Sequence, residues 1–355
     1  MLYFLSSWLH FNLFTYITVR AGAAFCVAFV LALWFFPRFI VWAKRQGATQ
    51  PILIHAPGGH KSKQNTPTMG GAVFTSCALI AAFLSVNLTN SFAWIGIVTI
   101  AFFSAIGVID DLRKIKGKQN EMGLSAGFKF ILQALAAALI SLLLIYASNL
   151  NTHLYLPFIK EPVLKDLGVY IAFFWALVFV SASNAVNLTD GLDGLAAAPS
   201  IFSIATLAIF VYITGHANMS QSLLMPSVSG VGEAVVIASA MLGALLGFLW
   251  FNANPAEVFM GDSGSLSIGA FIAYLAIISK TEALLLLIGF IFVVETISVI
   301  LQVGSYKFRR RRIFLMAPLH HHFELKRWAE NKIIVRFWII ALLSNILALI
   351  TIKIR

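Results

Sequence analysis

Apolar stretches long enough to cross a bilayer recur along the whole of this 355-residue chain. A helix needs roughly 20 apolar residues to span the hydrocarbon core. Ten segments approach or reach that length, at approximately 17–40, 71–88, 93–109, 126–147, 167–188, 194–213, 232–251, 263–280, 283–303 and 332–353. Inside hydrocarbon no water satisfies the backbone, which leaves helices and closed barrels as the only ways across. Barrel strands would alternate over short segments, whereas these runs are continuous. The sequence predicts an all-α polytopic membrane protein of about ten transmembrane helices, forming a single integral membrane domain over residues 1–355.

Lysine and arginine set the orientation. The loops between spans 1–2, 3–4 and 9–10, with the helix ends beside them, hold nineteen of the twenty-five basic residues. Among them are Lys44, Arg45, Lys61, Lys63, Arg113, Lys114, Lys116, Lys118 and the run Arg309 to Arg312. The other side keeps Arg20, Lys160, Lys165, Lys280, Lys353 and Arg355. Basic loops stay cytoplasmic, so both termini are expected on the outer side. Topology and attraction to anionic lipid account for most of the net charge of +11. No soluble region is expected that would present a nucleic-acid surface. Cys26 and Cys77 both lie in apolar segments, which indicates neither a disulfide framework nor a zinc site. The first seventeen residues carry no Lys or Arg, so no removable signal peptide is expected.

Five of the six aspartates, Asp110, Asp111, Asp190, Asp193 and Asp262, fall at the edges of apolar segments on the basic face. At a helix centre an Asp costs roughly 2.5–3.5 kcal/mol, which makes such carboxylates functional candidates. Their gathering points to metal-dependent handling of a polyanion. Span 3 is expected to end at Asp110-Asp111, followed by Leu112, Arg113 and Lys114. Consecutive helical residues point about 100° apart. One carboxylate is therefore expected to serve a metal or a proton while the other orients Lys114 or Arg113. A negative pair at a helix C-terminus also opposes the helix dipole, which argues against a decorative role.

Between spans 5 and 6, Asn187, Asp190 and Asp193 are spaced by three, which on a helical turn keeps them in one sector. Such oxygen ligands suit a magnesium–phosphate or nucleotide site. A plain turn needs only one or two of them. Loop 7–8 carries Asn252, Phe259 and the run Gly261-Asp262-Ser263-Gly264-Ser265. Capping of the next helix is the simplest role for Asp262, and wrapping a phosphate or holding a metal is the other. Phe259, expected to be exposed in a polar loop, suits stacking on a base. In loop 1–2, Thr68 with free backbone amides near a helix start, and Lys63 close by, suits a phosphate. Loop 9–10 holds His320, His321 and His322, adjacent and so without the spacing of a helical zinc pair. Histidine near neutral pH donates to phosphate or relays protons. Glu295 and Gln302 are polar residues inside span 9, and Glu295 marks a break or a groove there.

Together these loops resemble the polyprenyl-phosphate N-acetylhexosamine-1-phosphate transferases. The resemblance rests on Thr66-Pro67-Thr68-Met69-Gly70-Gly71, Asp110-Asp111, Asn187 to Gly194, Phe259 to Ser265 and Pro318 to Glu324, in order along the whole chain. The first and last of these motifs are similar to the branch whose donor is UDP-N-acetylmuramoyl-pentapeptide. That resemblance implies a multi-pass enzyme of the bacterial inner membrane with its active site at the cytoplasmic face. The donor's phospho-sugar would pass to undecaprenyl phosphate, releasing UMP, with Mg²⁺ as cofactor. Membrane lipid surrounds such an enzyme, and the family resemblance also allows a homodimer.

By the same resemblance, joined to the chemistry, Asp262 holds Mg²⁺ and Asp110 is the base or orienter for the lipid phosphate, with Asp111 in support. Asn187 and Asp190 line the ribose–diphosphate region. Lys63, Asp193, Asn252 and Phe259 form a uridine pocket. Thr68, Lys114 and Gln302 add substrate contacts, and His321 with His320 and His322 meets phosphate or the sugar-peptide. Direct attack is favoured over a covalent phospho-enzyme, since a lipid phosphate is already an anion. A sister transferase using UDP-N-acetylglucosamine is the alternative, which the Pro318 to Glu324 loop opposes. A transporter would show broken helices and midplane charges, whereas these aspartates collect at one interface.

Overall fold

The computed structural model describes residues 12–49, 66–117 and 123–353. Its helices are α1 (Ile17–Gln46), α2 (Gly70–Ser85), α3 (Ser91–Gly117), α4 (Ala126–Tyr146), α5 (Tyr170–Thr189), α6 (Ala197–Thr214) and α7 (Ala217–Ser222). Then follow α8 (Ala234–Asn252), α9 (Asp262–Ile278), α10 (Leu285–Ile288), α11 (Phe290–Arg309), α12 (Leu319–Leu325) and α13 (Glu330–Ile350). Eight are long and apolar enough to cross a membrane, and the shorter apolar α2 and α9 match the two remaining expected spans. Among the described residues β structure is confined to two isolated bridges. The protein is an all-helical, multi-pass membrane protein.

Helix α9 is the axis of the bundle. Every one of its residues is buried, as expected of a helix that is apolar on all sides. It packs chiefly on α3 and α5. Helix α1 turns a stripe of small residues, Ala21, Ala24, Ala28, Ala32 and Ala43, inward with Phe36 and Ile40. That stripe lies on α8; in lipid, where apolar burial gains nothing, close approach over small residues drives such pairing.

Two boundaries differ from expectation. Span 3 does not end at residue 109, because no helix breaker intervenes and α3 continues to Gly117. Asp110 and Asp111 therefore sit inside the helix, while Lys114 and Lys116 occupy its last turn and favour the dipole. The expected conflict between the carboxylate pair and the helix end is not found. Span 9 is broken at Gly289, between α10 and α11. The freed Ile288 carbonyl accepts from Asn345 Nδ2 at 3.0 Å and Ser203 Oγ at 3.1 Å. Side chains of neighbouring helices thus supply what the backbone lost, as apolar surroundings require. The break precedes Glu295, which lies within continuous helix.

At the end of the bundle remote from the aspartates, Arg20 donates to Glu233 Oε2 at 2.7 Å and Oε1 at 2.6 Å. Glu233 also accepts from the Asn87 amide at 3.1 Å, which ties α1 to the α2–α3 loop and the start of α8. Removing one partner of a buried pair strands the other, at about 3–5 kcal/mol. Arg20→Met should lower the thermal unfolding midpoint in detergent clearly. A midpoint equal to the parent's would mean that water already solvates Glu233.

Candidate active site

Extension of α3 past residue 109 brings its carboxylates against the start of α9. Asp111 Oδ1 accepts the Asp262 amide at 3.0 Å and Oδ2 accepts the Ser263 amide at 3.0 Å. Those are amides of the first turn of α9, which lack intrahelical acceptors. Asp111 is thus the cap of the central helix, supplied from a neighbouring helix. The approach is close enough that a Cβ on Gly107 of α3 would lie 2.2 Å from the Asp262 carbonyl oxygen.

Asp262 is held from three sides. Lys129, in the first turn of α4, donates to its Oδ2 in a very short contact. Lys114 Nζ lies 3.1 Å from the same oxygen and 2.6 Å from Asp110 Oδ2, bridging the two carboxylates. Asn187 Nδ2 donates to Asp262 Oδ1 at 2.9 Å and to Ser265 Oγ at 2.8 Å. Asp110 Oδ1 accepts the Leu124 amide at 2.6 Å. Asp110, Asp111 and Asp262 each offer an oxygen within 4.8 Å of the others. Hard oxygen donors at that spacing fit a divalent cation that also takes oxygens from a phosphate. The sequence does not single out Lys129. Its signal is weak: one ammonium among bulky apolar neighbours, Phe128, Phe130 and Ile131, on a membrane-crossing helix.

The Asn187, Asp190, Asp193 series does not share a helical sector. Helix α5 stops at Thr189, Asp190 is its C-cap residue, and a turn follows. Asn187 is the member of the series that donates to Asp262. Asp193 Oδ2 accepts from Asn254 Nδ2 at 3.0 Å and the Ala256 amide at 3.1 Å. Asn252 accepts the Gly194 amide at 2.9 Å and donates to the Val258 carbonyl at 2.8 Å. Asp193 and Asn252 thereby staple the 190–196 turn to the loop that ends in Phe259.

Phe259 is half-buried and not exposed as expected, because its backbone is laced to loop 1–2. Its amide donates to the Pro67 carbonyl at 2.7 Å, and its carbonyl accepts from Gly70 at 2.9 Å. Gly71 donates to Met260 at 2.8 Å and Thr68 to Ala48 at 3.1 Å. The amides of Thr68, Gly70 and Gly71 are therefore spent on protein carbonyls and are not free for phosphate, contrary to expectation. Thr68 itself is buried. Lys63 lies outside the described residues.

The three histidines diverge on the short helix α12. His320 is buried, with Nδ1 3.3 Å from Glu295 Oε1. His321 Nδ1 pairs with Glu324 Oε2 at 2.6 Å, and His322 Nδ1 accepts the Leu315 amide at 3.1 Å. Gln302 accepts the amides of Ile313 and Phe314 at 3.0 and 2.9 Å and donates to the Phe314 carbonyl at 2.9 Å. Its amide is committed to shaping the arginine-rich loop.

Burial, and then the charges of Asp262, Asp111 and Asp193, push the Asp190 carboxyl up to about 8 from 3.8. A raised folded pKa means that the protonated form is favoured by folding. That contribution is complete below 3.8 and is lost as pH rises through about 8. Asp190→Asn stays neutral throughout, so unfolding midpoints in chelator should fall less steeply as pH rises through about 8, the raised Asp111 carboxyl keeping its own share at lower pH. An unchanged slope would show that Asp190 does not carry it.

Carboxylates and ammonium groups interleaved at one edge of the bundle are suited to binding a phosphate together with a cation. The chain belongs to glycosyl transferase family 4, whose model matches residues 93–280. It is similar to proteins named phospho-N-acetylmuramoyl-pentapeptide-transferase, each aligned over the whole of both chains. The identities are 59% with that of a Nitratiruptor species, 58% with that of Sulfurimonas denitrificans and 57% with that of Wolinella succinogenes.

Proposed function

We propose that this protein transfers phospho-N-acetylmuramoyl-pentapeptide from its UDP conjugate to undecaprenyl phosphate, forming the lipid-linked diphosphate sugar and UMP. The observation that carries this reading is the bridging of Asp110 and Asp262 by Lys114, with Lys129 beside them, at one end of the bundle. Full-length identity to transferases of that name supports it. A phosphate oxygen of the acceptor attacks the sugar-bearing phosphorus, and the bond to UMP breaks with its electron pair leaving on UMP. The acceptor arrives as an anion, so the site's work is positioning and charge neutralisation.

Lys114 and Lys129 draw the phosphates to Asp110 and Asp262. Asp262, with Asp110, would hold Mg²⁺, which neutralises the diphosphate and the departing UMP. Asp111 fixes Asp262 through the backbone. Phe259 would stack on uracil, and His321 would meet the donor's phosphate or sugar. An apolar cleft of about 520 Å³ runs between α5 and α11. Its lining reaches Ala185 and Val186, next to Asn187, and includes Leu177, Val293 and Ile297. That shape suits the isoprenoid tail, whose phosphate would then emerge at Asn187.

Purified protein in detergent, given both substrates, should release UMP only with Mg²⁺ present and without any membrane gradient. Release from UDP-N-acetylglucosamine instead would favour the sister transferase. The sidedness is open to test as well. In a background lacking Cys26 and Cys77, Arg310→Cys should react with impermeant thiol reagents only from the cytoplasmic side, and Asn218→Cys only from outside. The split of basic residues is the reason. Labelling of position 310 in intact cells would invert the topology and separate the site from its cytoplasmic donor.

A further inference from the structure

Glu295 is wholly buried within the membrane-spanning helix α11, and the chemistry above does not use it. A carboxylate there costs several kcal/mol unless it is partnered. Its partners are all on α12. Oε2 accepts the Leu319 amide at 2.6 Å, Oε1 accepts the His320 amide at 3.1 Å, and the His320 Nδ1 contact lies on the same oxygen. Leu319 and His320 open α12, so these are amides without intrahelical acceptors. Pro318, at the N-cap, has no side-chain acceptor to offer them. The imidazole of His320 is wedged on its far side against the Asp190–Gly191 turn, where a Cβ on Gly191 would lie 2.2 Å from Nε2. Phe292, Val293, Thr296 and Ile297 of the same helix segment line the apolar cleft.

We propose that Glu295 is a positioning residue: it hangs α12 from α11, and so sets His321 and His322 relative to the Asp190 turn and the cleft. This rests on the transferase reading, because the histidines are placed for the donor. A pair of backbone amides from consecutive residues needs two acceptor oxygens. A carboxylate supplies both, whereas a carboxamide supplies one and turns an N–H₂ toward a second N–H. The resulting shift of α12 misplaces groups around the reaction, and displacements of about 1 Å cost on the order of 10²-fold in rate.

The test compares full-length Glu295→Gln and Glu295→Asp with the parent in detergent, by UMP release and by amide hydrogen exchange. Glu295→Gln should lower kcat at least tenfold, leave the KM for undecaprenyl phosphate within about twofold, and speed exchange at residues 319–321 while α9 stays protected. Glu295→Asp, which keeps both oxygens, should recover part of kcat and of the protection. Lost turnover with unchanged exchange at 319–321 overturns the proposal. So does faster exchange with parental kcat, or an Asp variant no better than Gln. A general loss of protection that includes α9 makes Glu295 a stability element and also overturns it. Failure of the parent itself to turn over this donor counts against the transferase reading alone, and the exchange comparison still decides whether Glu295 holds α12.

Discussion

Asp262→Asn should abolish UMP release, with a loss of at least about 10³-fold, equivalent to several kcal/mol of charge stabilisation at the reacting phosphates. The substitution is nearly isosteric and keeps the amide that Asp111 caps, so α9 should remain in place. What changes is charge. Lys114 and Lys129 both converge on Asp262 Oδ2, and Asn187 on Oδ1. A carboxamide leaves two ammonium groups facing one carboxylate, Asp110, and removes the oxygen with the most converging partners from the cation's reach. Residual turnover should no longer respond to added Mg²⁺. A variant with parental turnover at limiting Mg²⁺ would reduce Asp262 to the first residue of a helix.

Gly107→Ala should be nearly as damaging although it touches no substrate. The new methyl would meet the Asp262 carbonyl oxygen at 2.2 Å and the Ser263 Cα at 2.4 Å. Both are backbone atoms of a helix buried along its entire length, with no flexible side chain to yield. Either α3 or α9 must move, at about 1–3 kcal/mol for overpacking. Movement of α9 carries Asp262 away from Lys129 and Asn187, and misplacement of that size costs on the order of 10²-fold in rate. Lower turnover with a lower unfolding midpoint is the expected pair of results. Unchanged turnover would show that α9 tolerates translation without disturbing the site.

Much of this is readable from the chain alone, for physical reasons that also explain what is not. A membrane-crossing helix has to be apolar along its length, so the ten spans announce themselves. Their ends do not, because α3 runs beyond its apolar stretch through Asp110 and Asp111, where sequence no longer distinguishes helix from loop. Individual carboxylates stand out because they are costly beside lipid, but their partners are matters of tertiary contact. Lys129 looks like one more basic residue among several until its ammonium group is seen to reach Asp262 at the start of α9. Asp193 and Asn252 are expected in a nucleoside pocket, and nothing in the sequence announces that their hydrogen bonds to Asn254, Ala256, Gly194 and Val258 also join two loops. The free amides expected around Thr68 disappear because other segments lie against that helix start, one of them some 190 residues later in the chain. Glu295 is conspicuous as a polar residue within an apolar run, yet nothing in the sequence ties it to the histidines.

The pairing of α1 with α8 has a consequence for how the protein is made. The alanine stripe of the first membrane helix has its partner roughly 200 residues downstream. At ordinary ribosomal speeds that partner emerges roughly 10–40 s later. Throughout this interval the α8-facing stripe of α1 is without its partner, although α2 is already at hand. Arg20, in the first turn of α1, waits equally long for Glu233. Helix α2 is the other main neighbour of α1 and emerges first, so α1 is packed in two steps, and α9, the axis of the bundle, follows only after both.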